Sequence, residues 1–347
     1  MSVAKVYSQR LGAIGDEQFE AVAARLNLGR FVKAAPTTSG LFGQNVFVTT
    51  SEGEFVLRGA PHWVKDLGET EYRREDRWQF TKEVFFARQL HERTQAPVPW
   101  PMLHDAAGDI FGWPYLVMPR MPGICFDERG ILKALPDEDR RGVAAALGAM
   151  LAEMQRLTWP FAGDFAPSVE LRPYPDGFTQ HVIRETRDHV RTAQASGAFD
   201  AQDLDWLEEA EARALAVADV LRPNTYVHCD YKLNNVTVMK DDGGGWRVSG
   251  LFDLHEARFG DGALDLVRQA CSYLDTDVAQ ARVFVEAYRA RVPADPALGE
   301  RLPLYVLNDR MKFWDFFTRP DSVADWTKDK TFRGWARRHM DGMLALL

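Results

Sequence analysis

The chain has 347 residues, enough for two domains, and a hydrophobic fraction of 46% that can fill buried cores. Its 42 basic and 50 acidic residues give a formal charge of −8, which does not favour nucleic-acid binding because such proteins need a basic face. Three cysteines without a CxxC pair form no disulfide framework and fit a reducing cytoplasm. The first residues lack the apolar run of a signal peptide, and no stretch has the length of a membrane span, so we expect no membrane association.

The first third of the chain has the pattern of a small α+β unit. Apolar residues at helical spacing predict a helix from Asp16 to Leu26, and β-branched and aromatic residues predict strands from Phe31 to Arg58. The loop from Ser39 to Asn45 contains Gly40 and Gly43. Its backbone N–H groups can approach a phosphate closely, although an ordinary hairpin loop has the same composition.

Further strand and helix signals follow before the chain changes character. The charged segment from Glu71 to Arg93 predicts a helix packed on the small sheet. Two short strands are predicted at Met102–His104 and Tyr115–Met118, and the stretch Pro119–Gly123 then breaks regular structure. We therefore predict two domains, residues 1–118 and 119–347.

The second part is predicted to be mainly helical. The segment from Asp137 to Leu157 has one apolar face typical of a core helix. Residues 160–222 begin with aromatic and proline-rich stretches and continue with helical patterns near Gly177–Ala195 and Ala201–Val220. The 12 acidic and 6 basic residues of 159–222 give this region a local charge of −6.

The stretch from Thr225 to Asp265 carries the chemistry. A β-type run leads to Asp230, and Asn235 follows five residues later. A second run, a turn and a third run then deliver Asp253 at a strand end. Phosphoryl transfer needs one carboxylate facing the attacking hydroxyl, and an amide with another carboxylate to hold Mg²⁺ against the phosphates. A short loop between strands can aim all three groups at one point.

This arrangement, His228-x-Asp230-x-x-x-x-Asn235 followed by Phe252-Asp253, resembles the motifs of the aminoglycoside phosphotransferase/choline kinase family, whose fold is similar to that of protein kinases. The resemblance implies an α+β, two-lobed protein-kinase-like fold with a small β-sheet N-lobe and a mainly helical C-lobe. It also implies that the helical region at about 160–222 is an insertion bordering the substrate cleft.

Three residues depart from the family pattern. Cys229 stands where the family usually has Gly, Lys232 where it often has His, and Leu254 where an aromatic residue is common. None of these departures removes a group that the chemistry needs.

The resemblance also implies residue roles. Asp230 would be the catalytic base, and Asn235 and Asp253 would bind Mg²⁺. Asp265 would hold the backbone of the catalytic loop. The nucleotide-binding residues would be Gly40, Gly43, Asn45, Arg58, Glu83, Val117 and Met118. In this set Arg58 is the strand cation that reaches the phosphates and Glu83 is its helical partner, with Glu75 and Glu92 as alternatives to Glu83.

The implied reaction is transfer of the γ-phosphate of ATP or GTP to a hydroxyl of a small acceptor. Asn234-Asn235 and the run from Glu256 to Asp261 resemble aminoglycoside-modifying members, which indicates an aminoglycoside-type antibiotic as the acceptor and a role in resistance. A kinase for a choline-like or sugar-alcohol metabolite and a nucleotide-binding pseudoenzyme stay open. A protein kinase is disfavoured, because the short interval between Asp253 and Asp265 leaves little room for an activation segment.

Overall fold

The computed structural model describes residues 4–8, 11–37, 44–59, 79–126, 129–165, 170–220, 222–318 and 326–347. Its buried apolar side chains form two clusters. The smaller cluster includes Phe19 and Val46 and belongs to the N-terminal part, whereas the larger one includes Leu147 and Tyr226 and extends through the helical part. The chain is thus rich in sheet at its N-terminal end and rich in helix beyond it, which confirms the α+β prediction.

The N-terminal part consists of β1 (Lys5–Ser8), β2 (Gly12–Ile14), α1 (Asp16–Arg25), β3 (Phe31–Pro36), β4 (Asn45–Thr50), β5 (Gly53–Arg58), α2 (Gln79–Arg93), β6 (Leu103–Asp105) and β7 (Tyr115–Pro119). Within the described residues, β3 to β7 form one antiparallel sheet in the order β3-β4-β5-β7-β6. The predicted helix from Glu71 is described from Gln79 onward, and its first residues lie outside the described part of the chain.

Alternation of side chains explains how this sheet joins the two cores. Successive side chains of a strand point to opposite faces. In β4, Val46 and Val48 are buried while the intervening residues are partly exposed. In β7, Val117 packs into the smaller cluster, and Leu116 and Met118 pack into the larger one. Strand β7, which lies between β5 and the edge strand β6, is therefore covered on both faces.

The C-terminal part consists of α3 (Arg129–Ala134), α4 (Asp137–Met154), β8 (Thr158–Trp159), β9 (Gly163–Phe165), β10 (Leu171–Pro173), α5 (Gly177–Ala195), α6 (Ala201–Ala216), β11 (Asn224–Val227), β12 (Val236–Lys240), β13 (Trp246–Leu251), β14 (Arg258–Gly260), α7 (Ala263–Leu274), α8 (Val278–Arg289), α9 (Leu298–Thr318) and α10 (Phe332–Ala345). Two short 3₁₀ helices lie at Leu233–Asn235 and Leu254–Glu256. No helix in the described ranges is both long enough and apolar enough to cross a membrane.

Helix α4 forms the centre of the larger core. Val143, Leu147 and Leu151 are fully buried at intervals of four residues, which places them on one face. Gly148 lies on the same helix, and a Cβ there would come within 2.2 Å of the carbonyl oxygen of Phe284 in α8. The absence of a side chain at this position lets α4 and α8 pack closely.

The segment 160–222 contains the two helices predicted for it, α5 and α6, but it also contains strands. Strands β9 and β10 join β14, β11 and β8 in a sheet of order β10-β9-β14-β11-β8. Strand β11 leads directly into the loop that carries Asp230, so this sheet positions the candidate site.

A backbone bridge connects the N-terminal and C-terminal parts of the chain. Ile124, just after β7, forms an isolated bridge with Val238 in β12. The two residues exchange N–H···O bonds of 2.8 and 3.0 Å. The end of the small sheet is therefore fixed to the hairpin β12–β13 that carries Asn235 and Asp253 at its base.

Candidate active site

The loop of residues 228–235, here called the catalytic loop, connects β11 to β12 in a strained conformation. Cys229 has φ 67°, a left-handed value that costs energy for a residue other than glycine. Asp265 at the start of α7 accepts the backbone N–H of His228 at 2.6 Å and that of Cys229 at 2.8 Å. Asp265 thus holds the backbone through the turn, as the family resemblance implied.

The same loop is joined to the end of β13. Nε2 of His228 lies 2.8 Å from the carbonyl oxygen of Phe252, and the N–H of Phe252 donates to the carbonyl of Asn235 at 2.9 Å. Nδ1 of His228 accepts the N–H of Asp230 at 3.4 Å, which leaves Nε2 as the ring nitrogen that donates to the carbonyl of Phe252. These bonds bring the segments of Asp230, Asn235 and Asp253 to one place.

The carboxylate of Asp230 is held on both oxygens. Oδ1 accepts Nε and Nη2 of Arg268 at 2.9 and 2.7 Å. Oδ2 lies 2.6 Å from Nζ of Lys232 and 3.0 Å from Nδ2 of Asn235. Burial acts to raise the pKa of Asp230, but Arg268 and Lys232 outweigh it and hold that pKa below its ordinary value. Asp230 is therefore ionised and oriented at neutral pH.

Asp253 follows β13 in the left-handed region, with φ 65°. Its Oδ1 accepts Nη2 of Arg58 at 2.8 Å and lies 2.8 Å from Nδ1 of His255. Burial acts to raise the pKa of Asp253, but Arg58 and His255 lower it well below the usual range. Because both contacts fall on Oδ1, Oδ2 can face another ligand.

Arg58 bridges the small sheet to helix α2 and to Asp253. Its Nη1 lies 3.0 Å from Oε1 of Glu83. Burial acts to lower the pKa of Arg58, but Glu83 and Asp253 raise it above the ordinary value, so the guanidinium stays charged. Of the alternatives to Glu83, Glu92 is exposed on the same helix, and Glu75 lies outside the described residues. The structure therefore pairs Arg58 with Glu83.

His255 is a site residue that the sequence interpretation missed. It lies 2.8 Å from Asp253 and 3.7 Å from Oε1 of Glu83. Burial acts to lower the pKa of His255, but the hydrogen bond and charge of Asp253 outweigh burial and raise it. The ligand atoms of Glu83, Asp253 and His255 lie within 4.8 Å of one another. Arg58 contacts two of these three groups and already supplies their counter-charge.

The donor set suits a magnesium ion. Nδ2 of Asn235 donates to the backbone carbonyl of Asp230 at 2.9 Å and to its Oδ2 at 3.0 Å, which leaves Oδ1 of Asn235 as an acceptor. Together with Oδ2 of Asp253 this gives one amide and one carboxylate oxygen, the ligand types that Mg²⁺ prefers. The residues present therefore fit the ion.

Of the remaining predicted nucleotide contacts, Asn45, Val117 and Met118 lie on strands of the small sheet. Asn45 begins β4, and its Oδ1 is buried without a hydrogen-bond partner among the described residues. Val117 and Met118 pair with β5. Strand β6 begins at Leu103, opposite Val117, so no described strand pairs with that edge of β7 at Met118. Gly40 and Gly43 lie outside the described residues.

Three side chains of helix α7 contact the catalytic loop. Besides Asp265 and Arg268, Gln269 accepts the N–H of Leu233 through Oε1 at 2.7 Å. The spacing 265, 268 and 269 places these side chains on one face of the helix. Arg268 and Gln269 were not identified from the sequence. The spacing after Asp265 places them on the same helix face, but it does not show that they reach the catalytic loop.

The model of the phosphotransferase enzyme family matches residues 33–301. No curated protein sequence gives a significant match.

Solved structures match over nearly the whole chain. A protein of Ralstonia eutropha JMP134, provisionally assigned as an aminoglycoside phosphotransferase, has a TM-score of 0.62 at 15% identity and covers 95% of this chain and 98% of its own. Aminoglycoside phosphotransferase APH(4)-Ia has a TM-score of 0.58 at 15% identity, with coverages of 95% and 99%. Choline kinase LicA from Streptococcus pneumoniae has a TM-score of 0.55 at 12% identity, with coverages of 96% and 99%.

These likenesses show the fold and confirm the kinase-like architecture that the motif implied. The family match spans both parts of the chain and includes Arg58, Glu83, Asp230, Asn235 and Asp253. The chain belongs to the phosphotransferase enzyme family.

Proposed function

We propose that this phosphotransferase is a small-molecule kinase that transfers the γ-phosphate of ATP or GTP to a hydroxyl group of its acceptor. The observation that carries the proposal is the convergence of Asp230, Asn235 and Asp253 at the base of one hairpin, with Arg58 paired to Asp253 from the opposite sheet. Phosphoryl transfer depends almost entirely on positioning and charge stabilisation, and these residues supply both.

In the proposed reaction the acceptor hydroxyl lies beside Asp230. The acceptor oxygen forms a bond to the γ-phosphorus while the bond from that phosphorus to the β–γ bridging oxygen breaks, and the nucleoside diphosphate leaves. The hydroxyl proton passes to the carboxylate of Asp230 and then to solvent. The transition state of phosphoryl transfer is loose, and the hydroxyl proton leaves late in the reaction. Asp230 therefore needs to orient the hydroxyl more than to bind its proton strongly, and a carboxylate with a low pKa suits this task.

Asn235 and Asp253 would hold Mg²⁺ through their free oxygens. When bound, the ion would neutralise charge that develops on the phosphates. Arg58 would bind phosphate oxygens through its planar fork, with Glu83 keeping the guanidinium in place. The loop with Gly40, Gly43 and Asn45 would cover the phosphates, and the backbone at Val117 and Met118 would contact the base.

An aminoglycoside-type antibiotic is the first candidate acceptor. Structural neighbours include APH(4)-Ia in a ternary complex with ADP and hygromycin B, and a GDP complex of aminoglycoside 2′-phosphotransferase-IIIa. The local charge of −6 in residues 159–222 would attract a polycation to the wall of the cleft. A resistance role follows from this candidate.

A neutral or anionic metabolite with a hydroxyl group is the second candidate. Two cations, Lys232 and Arg268, lie directly on Asp230, where the reacting hydroxyl must bind. An ammonium group close to that hydroxyl would be repelled by both. This observation favours acceptors whose positive charges, if present, lie away from the reacting position.

A coupled assay of nucleoside diphosphate release tests the proposal. ATP and GTP would each be offered with a panel of aminoglycosides, macrolides, choline-like amines and sugar alcohols. Acceptor-dependent release with at least one compound is the expected result. Nucleotide binding without turnover across the panel would instead support a pseudoenzyme.

A further inference from the structure

The catalytic carboxylate is held from a helix outside its own loop. On α7, Asp265 fixes the backbone at His228 and Cys229, and Gln269 fixes the backbone at Leu233. Arg268 lies between them and is the residue of this helix face that reaches a side chain, the carboxylate of Asp230. Helix α7 therefore determines both the path of the loop and the direction of its reactive group.

Arg268 is itself immobilised by α9. Its Cζ lies 3.9 Å from the ring centroid of Phe313, and its Nη1 lies 3.5 Å from Oδ1 of Asp309. Its side chain is only 16% exposed. Stacking on an aromatic face and a fixed fork of donors reduce the freedom of a guanidinium, so the side chain is ordered before it contacts Asp230.

Lys232, the other cation on Asp230, is held differently. It belongs to the same loop as Asp230, its side chain is 31% exposed, and its ammonium is a point charge on a flexible stem. It contacts Oδ2, the oxygen opposite to the one that Arg268 binds. Arg268 thus fixes the carboxylate rigidly through Oδ1, whereas Oδ2 is held by Nδ2 of Asn235 and by a cation that can move away.

We propose that Arg268 is the positioning residue of Asp230, fixing the carboxylate through Oδ1 so that Oδ2 faces the reacting hydroxyl when Lys232 moves aside. This inference rests on the proposed role of Asp230. In this role Arg268 acts through Asp230 rather than through a contact of its own with the acceptor or the nucleotide.

The positioning role predicts that loss of Arg268 lowers kcat and leaves KM nearly unchanged. Misplacing a reacting group by about 1 Å can cost roughly 10²-fold in rate. Arg268→Ala should therefore lower kcat by about that factor and leave the KM values for acceptor and nucleotide within about twofold of wild type. Arg268→Lys keeps the charge but loses the fork, so it should restore part of the lost kcat.

The experiment compares Arg268→Ala, Arg268→Lys and the matched control Arg282→Ala, which removes an exposed arginine of α8. Each variant is also made with Asp230→Asn. Because Arg268 acts through Asp230, Arg268→Ala should cause little further loss in the Asp230→Asn background. Thermal unfolding identifies variants that fail to fold. If Arg268→Ala does not fold, kcat and KM are measured for Arg268→Lys and Arg268→Gln instead.

The outcomes separate this inference from the proposed function. Full kcat in Arg268→Ala, a loss confined to acceptor KM, or losses that add to those of Asp230→Asn would overturn the positioning role. If wild type phosphorylates no acceptor, the proposed function fails. Crystal structures of wild type and Arg268→Ala then decide the positioning claim, which predicts a displaced or rotated Asp230 carboxylate and is overturned by an unchanged one.

Discussion

Arg58 and Asp253 are 195 positions apart in the sequence and form an ion pair of 2.8 Å between Nη2 and Oδ1. The second terminal nitrogen of Arg58 lies 3.0 Å from Glu83. One guanidinium on β5 therefore joins α2 to the residue that we assign to the metal. The geometry of the nucleotide phosphates would depend on all three elements.

The first prediction concerns the pair of Arg58 and Glu83. Arg58→Ala and Glu83→Ala should each raise the nucleotide KM, and the two effects should not add, because Glu83 acts by holding Arg58. A double-mutant cycle on nucleotide KM should show a coupling above about 0.5 kcal/mol. Glu92→Ala, an exposed change on the same helix, is the control and should leave KM unchanged. Additive losses would mean that Glu83 does not serve Arg58.

The second prediction concerns the metal ligands. Asp253→Ala should abolish Mg²⁺-dependent nucleotide binding, because a carboxylate binds the ion more strongly than an amide does. Asn235→Ala should weaken binding and raise the Mg²⁺ concentration that is required. Calorimetric titration with and without Mg²⁺ measures both effects. Binding that is equal in wild type and both variants would show that these residues are not the ligands.

The sequence was sufficient to predict that Asp230, Asn235 and Asp253 lie close together, because that part of the geometry is local. Asp230 and Asn235 lie in one short loop, and a hairpin returns the chain to Asp253. The structure places Nδ2 of Asn235 on Oδ2 of Asp230 and bonds the backbone of Phe252 to that of Asn235. Spacing along the chain fixes such contacts before any packing is known.

Contacts from distant elements could not be predicted in the same way. Arg268 reaches Asp230 from α7, and its orientation depends on Phe313 of α9. A single arginine on a helix has no pattern that distinguishes it from a solvated one. His255 was missed for a related reason, since its partner Glu83 lies on α2.

Cys229 shows how the structure accommodates a departure from the family pattern. The position needs a left-handed backbone, which explains the usual glycine, and Asp265 supplies two hydrogen bonds that hold it there. Burial raises the pKa of the Cys229 thiol to about 12, so the thiol stays protonated at neutral pH. The site therefore gains no second nucleophile from this substitution.

The local charge of −6 in residues 159–222 comes from the sequence alone, and we assigned it to one wall of the proposed acceptor cleft. The structure pairs several of its acidic side chains with cations from the same segment and from elsewhere in the chain. Arg187 binds Glu211, and Glu185 binds Arg258 and Lys312. Composition gives the net charge of a segment but not the side chains that neutralise it.

The third prediction concerns pH. Burial and Arg258, whose Nη1 lies 2.7 Å from Nε2 of His181, lower the pKa of His181 to about 4. In the unfolded chain the histidine pKa is about 6.5. The stability that comes from a neutral His181 is therefore present above pH ~6.5 and is lost as the pH falls toward 4.

Between pH 7 and pH 5, wild type should lose more free energy of unfolding than His181→Gln, by on the order of 1 kcal/mol after allowance for the partial exposure of the ring. The glutamine carbonyl can still accept a hydrogen bond from Arg258. Urea unfolding at both pH values measures the difference. Equal pH dependence in the two proteins would contradict the assignment.

The fourth prediction concerns the acceptor. If a polycationic aminoglycoside is the substrate, its KM should rise steeply with added salt, because screening weakens its attraction to the acidic wall. The nucleotide KM should change less. Turnover of a neutral or anionic acceptor with a salt-independent KM would leave the kinase assignment intact and remove the aminoglycoside candidate.

The most direct test of the central claim is the transfer of labelled γ-phosphate to a hydroxyl acceptor by wild type, Asp230→Asn and the control Asp242→Asn, an exposed change in the turn after β12. General-base assistance contributes roughly 10²–10⁴-fold in rate, so Asp230→Asn should lose turnover on that order while keeping nucleotide affinity. The control should match wild type. Near-wild-type transfer by Asp230→Asn would contradict the assignment of Asp230 as the group that receives the hydroxyl proton.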